Sequence, residues 1–147
     1  MNMWNSISSE QDLSILMSTV CAFHDSCIKE IKYTSGAYVD NDLTMYPVND
    51  LRALKMIIQR QFDNPSAIEL EFLGLKYFRL SPCDEQYTCE LHDATMLLKD
   101  GYVFWCDCGG LTVAELEQYS GTIVCASKLR WRAVNEYIGA KEVYKSI

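Results

Sequence analysis

Basic residues are scarce in this chain, and none occurs before Lys29. Thirteen Lys and Arg stand against twenty Asp and Glu, a formal net charge of −7, so affinity built on phosphate neutralisation is excluded and no nucleic acid partner is expected. The early lack of cations also argues against a secretory signal, because Glu10 and Asp12 precede the apolar stretch over residues 13–23 where a signal carries positive charge. No run approaches the roughly 18 uninterrupted apolar residues of a membrane span, so no membrane association is expected. With seven Gly and three Pro among 147 residues, collagen-like and low-complexity readings fall away. The expected compartment is the cytoplasm, where the seven cysteines would stay reduced as small, mostly buried hydrophobes.

What is present is enough for a core: 49% of residues are apolar and 22% charged, with a length suited to one domain over residues 1–147. Ser8-Ser9-Glu10-Gln11 followed by Leu13, Leu16, Met17 and Val20 reads as a capped helix over residues 9–21. A β-rich body over residues 25–132 follows. Its signals are the alternation Ile68, Leu70, Phe72 with Glu69 and Glu71 on a wet face, a bend at Gly74, a strand within 87–98, and the Asp100-Gly101 hairpin turn before Tyr102–Cys106. Thr112 caps a short helix near residues 112–119, and Ile123 to Arg132 is a late strand with Lys128, Arg130 and Arg132 on one side and Trp131 in the core. Periodicity leaves residues 50–62 open between helix and strand. The fold class is α+β, predominantly antiparallel β, as a curved sheet or sandwich with a C-terminal tail over residues 133–147.

Two segments share one form: Cys21-Ala22-Phe23-His24-Asp25 and Cys89-Glu90-Leu91-His92-Asp93. Cys21, His24, Cys89 and His92 make up a tetrahedral donor set for zinc, but a spacing of three puts Cys and His on opposite faces of a strand, where Cys89 is expected to lie. The chain is therefore expected to carry no cofactor. His24, His92, Asp93 and Asp107 also fill on paper the separate His, adjacent His-Asp and further Asp of metal-dependent phosphohydrolases of the HD type, an all-helical superfamily whose structural context is lacking here, and Asp25 gives a second His-Asp pair. Trp105-Cys106-Asp107-Cys108-Gly109-Gly110 holds a Cys-x-Cys pair without a neighbouring base to activate it. These residues make up the alternative reading of a metal-binding or hydrolytic domain.

Charge points elsewhere. Residues 1–50 carry seven acidic and two basic residues, and Asp40-Asn41-Asp42 is a turn without the further ligands of a calcium loop. An acidic face there suits a basic protein partner, with His24, Asp25, Asp40, Asp42, His92, Asp93, Trp105 and Asp107 as the candidate contacts.

Phe23-His24-Asp25-Ser26-Cys27-Ile28, then Ile68–Phe72 with Gly74-Leu75, then Asp93-Ala94 and Trp105-Cys106-Asp107 resemble small bacterial proteins that start with a Phe-His-Asp-Ser-like element and continue as an antiparallel β domain. The pattern, over residues 23–107, is also similar to some immunity-type proteins of polymorphic toxin systems. The resemblance implies a strand for residues 52–61 and a non-enzymatic, immunity-like binding role; it transfers no catalytic residues.

Overall fold

The computed structural model describes residues 3–145. Nine strands and two helices follow in the order β1 (Asn5–Ile7), α1 (Glu10–Thr19), β2 (Ser26–Thr34), β3 (Tyr38–Val39), β4 (Met45–Tyr46), β5 (Ala53–Arg60), β6 (Ala67–Arg79), β7 (Thr95–Lys99), β8 (Tyr102–Cys106), α2 (Val113–Glu117) and β9 (Ile123–Ala133). Seven strands form one open antiparallel sheet, six of them in the order β2-β5-β6-β9-β8-β7 and the seventh, β1, paired with β9. The two long strands β6 and β9 are its spine. Beyond β9, one edge is shared, with β8 along Ile123–Ala126 and β1 along Leu129–Trp131.

Local chemistry explains the elements. Ser9 accepts from the Asp12 amide at 3.1 Å, and Asp12 in turn accepts from the Ser8 amide at 3.0 Å, which fixes the start of α1. Thr112 and Glu115 form a reciprocal capping box at the start of α2. Asp100 (φ +53) and Gly101 (φ +79) supply the positive φ values of the β7–β8 hairpin. Residues 53–60 are strand, paired with β2 on one side and β6 on the other.

One face of the sheet carries the main core. Leu13, Leu16 and Val20 from the helical segment pack on Leu54, Met56, Ile58, Ile68, Leu70, Phe72, Trp105 and Leu129. The opposite face is covered at two places, by α2 over Cys106 and Ile123, and by the chain after β9 over Ile57 and Ala67. In β2 a bulge at Lys29 restores the alternation, so that Ile28 and Ile31 both face the main core. Gly74 (φ +62) lies against Ser127, where a Cβ would collide with the side chain.

Three expectations need correction. Glu69 and Glu71 do not lie on a wet face: both are buried, Glu69 where the segment after Ala133 returns across the sheet and Glu71 between Arg130 and Lys55. Tyr144 donates to Glu69 Oε2 at 2.6 Å, and Glu30 accepts from the Val143 and Tyr144 amides. Residues 87–94 form no strand beyond a single bridge between Leu91 and Ser26, so Cys89 lies in a loop. The first helix ends at Thr19, two residues early, where the chain turns left-handed.

Candidate functional site

Cys21, Ala22 and Phe23 take φ values of +51, +54 and +65, and Asp25 follows at +54. Four non-glycine residues in the left-handed region cost about 1 to 2 kcal/mol each, so their surroundings must impose the conformation. Phe23 is fully buried edge-on against Trp105, with ring centroids 5.8 Å apart. Ser26 Oγ donates to the Phe23 carbonyl at 2.5 Å, and the Ala94 amide donates to the Ala22 carbonyl at 2.9 Å. The Asp25 amide donates to Leu91 O, and the Leu91 amide donates to Ser26 O. The two Cys-x-apolar-His-Asp segments therefore lie side by side.

His24 Nδ1 donates to the His92 carbonyl at 2.6 Å, which leaves Nε2 3.4 Å from Asp25 Oδ2, while Asp93 Oδ1 is 4.0 Å from Nδ1. The hydrogen bond to His92, then Asp25 and Asp93, raise the imidazole above its ordinary value, so the arrangement favours the imidazolium. The His92 ring turns instead toward Glu90, 3.6 Å away. His24 thus bonds the backbone of His92, not its ring. Among the described residues no group of three or more His, Cys, Asp or Glu is arranged to hold a metal ion, so Cys21, His24, Cys89 and His92 do not form a ligand set there.

Beside this junction an open cleft of about 420 Å³ is lined by Asp25, Cys27, Arg60, Cys89, Glu90 and Ile138 among others. Arg60, buried, donates from Nη1 to the Pro65 carbonyl at 2.5 Å, while its Nε has no protein partner. Trp105 is fully buried and meets Phe23, so it belongs to the core and presents nothing to a partner. Asp107 accepts a hydrogen bond from the Tyr119 hydroxyl. Cys106 is buried, and its thiol donates to Cys108 O at 3.3 Å.

Asp40 and Asp42 lie apart from these groups, on an arm formed by residues 35–51. Gly36 (φ +106) sits so close to Asp50 that a Cβ would collide with it, and Ser35 O accepts from both Leu51 N and Arg52 N, closing the base of the arm. At the far end Asp40 Oδ1 accepts from the Asp42 and Thr44 amides, a local bond that shapes the loop between β3 and β4. The rings of Tyr38 and Tyr46 stack at 4.9 Å across the two strands.

The apolar residues of this arm have no core to join. Tyr38, Val39, Leu43, Met45, Tyr46, Val48 and Leu51 are exposed, seven of the fourteen exposed large hydrophobics among the described residues. Leu43 is 83% exposed and takes φ +65 at the loop, where glycine or asparagine is the ordinary occupant. Between Lys32 and Arg52 the chain holds three Asp and no basic residue or His. The surface is apolar with an acidic frame.

In sequence, residues 35–51 read only as an acidic stretch with a turn at Asp40-Asn41-Asp42, which does not report this apolar surface. The available signal was the Asp40-Asn41-Asp42 turn set between Gly36 and Asp50 with too few residues on either side to join a sheet. Comparison with protein-family models, with curated proteins and with solved structures finds no match.

Proposed function

We propose that this protein is a non-enzymatic binding domain of the immunity-like kind, which docks a basic protein through the arm over residues 35–51. One observation carries the reading: a cluster of exposed apolar side chains is held on a constrained hairpin that carries only negative charge. Contiguous exposed apolar surface of this kind marks interaction sites, and aromatic residues such as Tyr38 and Tyr46 supply large contact area with few rotamers to immobilise. Asp40, Asp42 and Asp50 frame it with charge that attracts a cationic partner and repels an acidic one.

Leu43 supports the same reading. A left-handed, solvent-exposed Leu weakens the folded chain, and contact with a partner gives it a use that folding does not. The His24–His92 junction reads as structural, since its hydrogen bonds tie two backbone segments together.

Affinity capture from the native host with the full chain as bait tests the proposal. A captured protein of basic composition, retained at low salt and weakened at high salt, is the expected result. Capture of acidic proteins, or of none at either salt concentration, would overturn it.

A further inference from the structure

Three of the seven cysteines converge through the loop that joins β6 to β7. After β6 ends at Arg79, the loop reverses around Asp84: Oδ1 accepts from Gln86 N at 2.9 Å, and the carbonyl accepts from Tyr87 N at 2.9 Å. The reversal sets Cys83 on the outgoing limb beside Cys89 on the returning limb. Two residues later the Leu91 amide donates to Ser26 O at 2.7 Å, which lays the returning limb along the start of β2 and places Cys89 near Cys27. Cys83 and Cys89 line one recess of about 320 Å³, together with Leu80, Asp107 and Thr122. Cys27 and Cys89 line the adjoining cleft beside Arg60. Cys89 is common to both.

Exposure separates these thiols from two of the other four. Cys83 and Cys89 are exposed and Cys27 is half-buried, whereas Cys106 and Cys125 are buried. Cys106 and Cys108 also donate to backbone carbonyls, and Cys21 lies on the left-handed turn.

We propose that Cys83 and Cys89 are a reversible dithiol–disulfide pair that exchanges with low-molecular-weight disulfides, with Cys27 placed to take over the bond to Cys89. The Cys89 thiolate attacks one sulfur of the small disulfide RSSR, forming a Cys89–SR bond and releasing RS⁻. Cys83, losing its proton to solvent, then attacks Cys89 Sγ, and the second RS⁻ leaves. Two electrons pass to the small disulfide, and the balance is protein dithiol plus RSSR giving protein disulfide plus two RSH.

Desolvation, and then the adjacent Cys89 thiol, push the Cys83 thiol above its ordinary value; burial does the same to Cys27. Both therefore remain protonated at neutral pH, and Cys89, exposed and common to both recesses, is placed to make the first attack. Thiols of raised pKa are also poor leaving groups, so the closed bond resists reversal.

The test uses the reduced full chain incubated with oxidised glutathione at mildly alkaline pH, with free thiols counted after denaturation and bonds located by non-reducing peptide mapping. The wild-type chain is expected to lose two of its seven thiols, to show a Cys83–Cys89 bond, and to recover all seven with dithiothreitol. Cys27→Ser is expected to close the same bond, while Cys83→Ser holds glutathione on Cys89 or closes Cys27–Cys89. Retention of all seven thiols, bonds confined to the other four cysteines, or stable glutathione adducts in place of an internal bond would overturn the proposal. The result is independent of the arm, since capture through residues 35–51 and closure of this loop are read separately.

Discussion

Tyr144 Oη donates to Glu69 Oε2 at 2.6 Å, joining the C-terminal segment of the chain to the start of β6. Arg132 Nη2 lies 2.8 Å from Glu69 Oε1, and the neighbouring rung pairs Arg130 with Glu71 at 2.5 Å, with Lys55 at 3.7 Å. Trp4 lies over both guanidinium groups, 4.2 and 4.5 Å from its ring centroid. Burial and the Glu69 carboxylate push the Tyr144 hydroxyl up, so it stays a proton donor.

Tyr144→Phe removes that donor and leaves Glu69 buried with one fewer partner. The expected loss is about 1 to 2 kcal/mol, in the range for hydrogen bonds to charged groups. Glu69→Ala is expected to cost more, about 2 to 4 kcal/mol, because Arg132 loses its carboxylate. Urea denaturation of the two single variants and the double variant checks this. A double-variant loss equal to the sum of the singles would show that the two side chains are not coupled.

These rungs also show what sequence can and cannot convey. The alternation of the two strands that carry Glu69, Glu71, Arg130 and Arg132 was readable in sequence, as were the Asp100-Gly101 hairpin, the Ser9 cap and the Thr112 helix start. Burial of Glu69 was not, because it depends on residues 134–144 returning over it, a contact at a sequence separation of 75 residues between Glu69 and Tyr144. Likewise His24 and His92 are brought together by loops, and neither strand nor helix periodicity reports on loop geometry.

Ala22 occupies left-handed backbone without the freedom of glycine. Ala22→Gly is expected to stabilise the fold by about 0.5 to 1 kcal/mol, the steric relief exceeding the added entropy of the unfolded chain. Thermal melting reads it directly, and a lower Tm would contradict an imposed left-handed turn.

His24 yields a pH dependence whose sign is fixed. Its imidazole is raised in the folded chain, so its contribution to stability is fully present below the ordinary value of 6.5 and is lost as pH rises through the higher folded value. The stability difference between wild type and His24→Gln should therefore grow on acidification from about pH 8 to about pH 6. NMR titration should place the His24 midpoint above 6.5. A midpoint below 6.5, with a pH-independent difference, would contradict the hydrogen bond to His92.

Leu43→Asn should behave differently from an ordinary core substitution. Asn accepts left-handed backbone more readily than Leu, so stability is expected to hold or to rise by up to about 1 kcal/mol while the most exposed apolar side chain of the arm is lost. A clear loss of stability would mean that Leu43 packs in the folded chain.

Docking through the arm is tested most directly by comparing wild type with a chain carrying Tyr38→Ser, Leu43→Asn and Tyr46→Ser, both used as bait at equal concentration. Circular dichroism and melting should show the same sheet in both, since all three side chains are exposed. Loss of central aromatic and apolar contacts should lower recovery of the basic partner at least about tenfold. Equal recovery by the two baits would contradict the arm as the binding surface.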